Sequence, residues 1–269
     1  MPVSLAGILE QLKRRSLVGQ VVVVLVGAQI LSFGSFVCLD LPTATQRNML
    51  AFLRNQAVVA TQALPERAQA RVRQAVPRLA APAGEVRVSR YVPVVPLSVF
   101  IGYILGSALG LTAATLYLGA GLVGPCLGIY LFAAGGGVSY YQQPGFGYLL
   151  GMAAASYCAG WATSKRRTSF RQLLAAVTGV GAAHGVGLAY LLGSCLVSIL
   201  FDGASSFPGW RPWVFEQARN LTWYPLPYDL LFSFALIGVG FPFRWLVRTL
   251  IAPDMGVRPR GQQRIEDLV

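Results

Sequence analysis

A run of 74 residues without one Asp, Glu, Lys or Arg, residues 91–164, constrains this chain more than any other feature. A bilayer core takes about 20 apolar residues per helical span, so the run holds roughly three. In its middle, residues 133–151 read AAGGGVSYYQQPGFGYLLG. Three consecutive glycines and a Pro-Gly step are costly inside a helix. At membrane depth, irregular backbone survives only where protein buries it or where it lines a cavity. Two readings fit this segment: a wall or lid over a small polar solute, or a plain connector between spans.

Composition extends the argument to the whole chain. Of 269 residues, 55% are hydrophobic and 12% charged, with a mean hydropathy of +0.56. A soluble domain carries about twice that charge, so an integral membrane protein is expected. The net charge of +12 would suggest nucleic acid in a soluble chain. Here the bases cluster at span ends, which points to topology and anionic lipid. Cys38, Cys126, Cys158 and Cys195 lie in or beside apolar runs without C-x-x-C spacing. They read as small buried hydrophobes, with no metal site or disulfide framework.

The residues divide the chain into four parts. Residues 1–41 hold an amphipathic lead-in ending in Lys13, Arg14 and Arg15, then a first span at about 17–39. The uncharged stretch 16–39 is too long for the 7–15-residue core of a signal peptide, so the span is read as retained. Its small residues include Ala28 and Ser32, at the spacing that lets helices approach closely in lipid. Residues 42–90 form a polar insert with eight arginines against two glutamates. Helices are expected at 45–63 and 66–76, broken by Pro65. The insert reads either as a basic amphipathic surface for anionic membrane or as a solvated segment with little order.

Residues 91–250 carry spans two to six, at about 96–108, 109–132, 146–163, 172–201 and 225–250. Gly106 and Gly110 make the turn between spans two and three, and 202–224 reads as a polar loop rich in Trp and Pro. Residues 251–269 are a polar tail. The fold expected is an all-α bundle of six transmembrane helices. Six spans bring the N-terminal bases, the Lys165–Arg171 loop and the C-terminus to one face, cytoplasmic by the distribution of Lys and Arg. The arginine-rich insert then falls outside, against that rule, which long loops obey poorly.

Ionisable groups within spans are functional candidates. Asp229 stands in WYPLPYDLL, where Pro225 and Pro227 break the helix. Its carboxylate either accepts N–H groups of a ligand or charges the first turn of its own helix. His184 lies in AAHGVGLAY, flanked by residues that allow close approach, and is either a ligand group or a hydrogen-bonded core histidine. There is no second acid to pair with Asp229, no G-x-S-x-G, no H-E-x-x-H and no phosphate loop. An enzyme is not expected, nor a cofactor, and energy for uphill transport would come from a partner or an ion gradient.

Taken in order, several of these stretches resemble the BioY family, the biotin-binding S components of energy-coupling-factor (ECF) transporters. The glycine-rich loop is followed by Pro144, Gly147, Tyr148, Leu149, Leu150 and Gly151, similar to the family's Pro-x-x-Gly-Tyr-Leu-Leu-Gly segment. The sequence from 92 to 124 looks like the family's second and third helices, YPLPYDLLFSF like the start of its sixth, and His184-x-x-Gly-Leu-x-Tyr190 like fifth helices of cyanobacterial members. The resemblance implies a six-helix S component that binds biotin from outside. It implies a partner ECF transmembrane subunit with ATPase subunits, in a bacterial plasma membrane with both termini cytoplasmic. By position it puts Tyr140, Tyr141, Gln142, Gly147, Tyr148 and His184 near the ligand and Asp229 at the ureido N–H groups. Ala28 and Ser32 would be the partner face. Where the family often has a lysine, three residues after the aspartate, this chain has Phe232. The alternatives are an S component for another small vitamin, or a non-transport assembly protein that docks through residues 42–90.

Overall fold

The computed structural model describes residues 17–251, apart from 78–80, 83, 133–134, 165–167 and 203–206. The amphipathic lead-in, the bases at 165–167 and the polar tail lie outside the described residues.

Helix α1 is Leu17–Phe36, twenty residues without a charge. One face, from Val23 through Gly27, Ala28, Leu31 and Ser32 to Ser35, is buried in the chain itself. A Cβ on Gly27 would come within 3.1 Å of the Ala113 Cβ and 3.2 Å of Leu105 Cδ1. Small residues here let α1 lie close to two later helices. Ala28 and Ser32, which the resemblance puts at a partner face, are 8% and 6% exposed in the chain, and Ser32 Oγ donates to the Ala28 carbonyl at 3.0 Å. The stripe packs against other helices of the chain itself. The opposite face, with Leu17, Val18, Val21, Val22, Leu25 and Val26, is exposed. A helix apolar on all sides, with its outer side uncovered, belongs in lipid.

The insert is more ordered than its composition suggested. Strands β1 (Leu39–Pro42) and β2 (Val88–Tyr91) pair antiparallel with Leu39 opposite Tyr91. Between them run α2 (Gln46–Gln62) and α3 (Glu66–Ala75), divided at Pro65 as expected. Asn48 ties the base of the insert. Its Nδ2 donates to the Arg87 carbonyl at 2.7 Å, and its Oδ1 accepts the Arg87 N–H at 2.8 Å.

The membrane region follows as α4 (Val94–Leu105), α5 (Ser107–Val123), α6 (Phe146–Ala162), α7 (Ser169–Asp202) and α9 (Leu226–Ile251). Gly106, at φ +89°, breaks the chain between α4 and α5. Ser107–Val123 continues through a short 3₁₀ turn, Gly124–Leu127. Among the described residues, three helices are long and apolar enough to cross a bilayer: Leu17–Phe36, Ser107–Leu127 and Ser169–Phe201. Helix α4 spans about 18 Å at 1.5 Å per residue, short of a core about 30 Å thick. The order of the helices is consistent with six spans.

Two further elements replace the expected polar loop at 202–224. Helix α8 is Phe207–Ala218, and Arg219–Trp223 is a π-helix closed by the Tyr224 N–H donating to the Arg219 carbonyl at 3.0 Å. The core is built from Leu31, Val99, Tyr103, Ala113, Ala155, Ala159, Ala175, Ala176 and Ala183, all fully buried. Ala155, Ala159, Ala175, Ala176 and Ala183 lie on α6 and α7, which pack together along their length.

Candidate binding site

Asp229 sits in the first turn of α9, just after Pro225 and Pro227, and its N–H donates to the Pro225 carbonyl at 2.8 Å. Its side chain turns away from its own helix into the bundle, where it is 2% exposed. Tyr91 Oη, at the end of β2, donates to Asp229 Oδ1 at 2.6 Å. His184 Nε2, in the middle of α7, meets Oδ2 at 2.9 Å. An ionised carboxylate only accepts, so Nε2 carries the proton in this pair. Each oxygen has two lone pairs, so Asp229 retains acceptor capacity for further N–H donors.

Tyr91 is fixed from both sides. Its ring stacks on Phe232 at 5.5 Å and 21°, and meets Tyr228 at 5.8 Å. Phe232, where the family often has lysine, therefore holds the phenol that binds Asp229. Burial first, and then the Asp229 charge and hydrogen bond, push the Tyr91 hydroxyl well above its ordinary value. It remains a donor throughout the physiological range. The Tyr228 hydroxyl donates to the Pro42 carbonyl, so the base of the insert is joined to the same cluster.

His184 Nδ1 and Ser233 Oγ are both buried without a partner. Ser233 is 0% exposed and stands four residues after Asp229, one helical turn further along α9. Buried polar atoms are nearly always paired, so these two retain unused hydrogen-bonding capacity. The edge of the Tyr148 ring meets His184 at 6.0 Å and 73°. Its hydroxyl lies 2.7 Å from Thr222 Oγ1 on the π-helix.

Of the residues singled out from the sequence, Asp229, His184 and Tyr148 thus come together. Gly147 has a packing role: a Cβ there would lie 2.2 Å from the Tyr190 Cβ. Tyr140, Tyr141 and Gln142 lie on the 3₁₀ turn Val138–Gln142. Tyr140 packs between Phe132 and Phe146. The Tyr141 carbonyl accepts the Tyr190 hydroxyl, while its own ring is 51% exposed. The Gln142 amide donates to the Tyr141 hydroxyl at 3.4 Å. Sequence reasoning missed Tyr91, Thr222 and Ser233. Only Ser233 carried a signal, its i+4 spacing from Asp229.

Two cavities flank the π-helix. One of about 650 Å³ lies against α7 and α8 and includes Thr222 and Arg219. The other, of about 260 Å³, ends on Tyr91 and Tyr228 and includes Arg90 and Asn220.

The model of the BioY family matches residues 83–244, which includes every residue of this cluster. The chain belongs to the BioY family. A probable biotin transporter BioY of Lysinibacillus sphaericus is 33% identical over 107 residues, 37% of this chain and 53% of that protein. The chain thus matches about half the length of this curated relative. The crystal structure of an S-component for biotin from an ECF-type ABC transporter aligns with 74% of this chain and 91% of its own, at 14% identity and a TM-score of 0.42. As a BioY-family chain with three long apolar helices, this is a membrane protein. The matched region begins within the 42–90 insert, so residues 42–82 precede it.

Proposed function

We propose that this chain binds biotin and serves as the substrate-binding S component of an ECF-type transporter in a bacterial plasma membrane. The observation that carries the reading is the buried Asp229 carboxylate, held by Tyr91 and His184 within the region of BioY similarity. Biotin combines an apolar bicycle, a planar urea with two N–H donors and an aliphatic tail ending in a carboxylate. A mostly apolar site with a few placed polar groups suits such a ligand. Asp229 accepts the ureido N–H groups, while His184 and Tyr91 hold its orientation. Tyr148 and the 138–142 turn, with Tyr140, Tyr141 and Gln142, close the site from the loop side.

In this reading the partners are an ECF transmembrane subunit and its ATPases, both termini are cytoplasmic, and no chemistry is done on the ligand. The test is binding of labelled biotin to the purified chain in detergent, wild type beside Asp229→Ala. Saturable binding that weakens at least tenfold in the variant is expected, since stranding a buried polar group costs about 1–3 kcal/mol. A well-folded wild type that binds no biotin overturns the assignment.

A further inference from the structure

The Asp229 cluster can receive N–H donors, but its negative charge repels a second carboxylate. A ligand with a urea head and an anionic tail must therefore end its tail elsewhere, beside a cation. Two cavities flank the π-helix, and each contains one arginine.

The larger is the better match. Its walls include Leu188, Phe215 and Trp223, and its polar groups are Thr222, Arg219 and Glu216. One side chain links it to the cluster: Thr222 in its lining bonds to the Tyr148 hydroxyl, and the Tyr148 ring meets His184, which holds Asp229. An aliphatic chain leaving the head group would run along apolar walls before reaching Arg219. The guanidinium is held 5.7 Å from the centre of the Tyr224 ring, at the π-turn that forms the wall of the cavity. Glu216 shares the lining, so the cavity's net charge does not select an anion. Selection falls to the forked donors of the guanidinium, which match a carboxylate in geometry as well as charge. In the smaller cavity, Arg90 stands across the β1–β2 ladder from Asp40, at the base of the insert.

Building on the biotin reading, we infer that the larger cavity receives the carboxylate-ended tail of the ligand and that Arg219 is the residue that recognises the carboxylate. The neutral isostere biotinamide separates this from the reading itself. Affinities of the full-length chain are measured for biotin and biotinamide, in wild type, Arg219→Gln, Arg90→Gln and Asp229→Ala. Wild type is expected to prefer the acid by about tenfold or more, the worth of a charge-assisted hydrogen bond. Arg219→Gln should abolish that preference while binding biotinamide within about twofold of wild type, which also shows that it is folded. Arg90→Gln should keep the preference, and Asp229→Ala should weaken both ligands together.

Equal wild-type affinity for acid and amide overturns the inference, because the cavity then holds lipid or an uncharged part of the ligand. Loss of the preference in Arg90→Gln with its retention in Arg219→Gln also overturns it. In both cases biotin binding itself stands. Absence of binding to either ligand overturns the inference together with the reading on which it rests.

Discussion

Tyr91 and Asp229 are 138 residues apart in sequence and 2.6 Å apart in space, phenol to carboxylate. The contact joins the end of a strand outside the bundle to the first turn of the last helix. Tyr91→Phe removes the hydroxyl and leaves the stacking on Phe232. Because the acceptor is charged and buried, the variant should lose about 1.5–3 kcal/mol of stability, seen as a lower melting temperature in detergent. A double-mutant cycle with Asp229→Asn should show coupling above about 0.5 kcal/mol. Additive effects would mean that the two side chains act independently.

The same contact sets a pH dependence. Burial and the adjacent carboxylate raise the folded-state value of Tyr91 above its ordinary 10.0. A group whose folded value is raised binds its proton more tightly when folded. Its contribution is therefore fully present below pH 10 and is lost as pH rises beyond it. Wild-type stability should fall above about pH 10 with a steeper slope than that of Tyr91→Phe, by up to one proton. From pH 7 to 9 the difference between the two proteins should be constant. Equal slopes above pH 10 in denaturation series would show that the phenol is not perturbed.

Gly147 tests packing against ligand contact. A methyl group there would lie 2.2 Å from the Tyr190 Cβ and 3.1 Å from the Gly187 carbonyl oxygen. Overpacking of this kind costs about 1–3 kcal/mol, so Gly147→Ala should melt well below wild type whether or not biotin is present. Gly181, on α7, has nothing within 4 Å of the position a Cβ would take. Gly181→Ala should be neutral or gain up to about 1 kcal/mol from helix propensity. Biotin affinity lost in Gly147→Ala without any loss of stability would return Gly147 to the ligand.

These contrasts show what the residues reveal by themselves. The helices on either side of Gly106 and of Pro65 were legible because backbone rules act locally, and charge-free runs announce burial in lipid. Asp229 and His184 stood out because ionisable groups are rare in spans. Their meeting was not legible, since it depends on the rotation of α7 against α9, which no local pattern fixes. Tyr91 gave no signal because tyrosines are ordinary at membrane edges and its partner is 138 residues away. The segment at 202–224 was misread because Pro208 and Pro212 suggested a loop, whereas both lie in α8, Pro208 in its first turn. In a helix's first turn a missing N–H costs nothing, so Pro208 does not oppose the helix. The stripe of Ala28 and Ser32 was legible as a helix-approach surface, but which helix it meets was not, because small residues serve contacts within and between chains alike.

The insert provides the last prediction. Asn48 is 9% exposed, and its amide closes the base of residues 43–87 through both of its polar atoms. Asn48→Ala removes three donated bonds, to the Thr43 carbonyl, the Thr43 hydroxyl and the Arg87 carbonyl, and also strands the Arg87 N–H. The helices of the insert contribute little to the bundle core, so the loss should act locally. Tryptic cleavage within the insert should speed up by about tenfold or more, for about 1.4 kcal/mol of lost protection, while the melting of the bundle moves by only a few degrees. β2 ends on Tyr91, and Pro42 accepts the Tyr228 hydroxyl. Loosening the base should therefore reach Asp229, and biotin affinity should fall with the rise in cleavage. Faster cleavage with unchanged affinity would show that the insert's base is independent of the site.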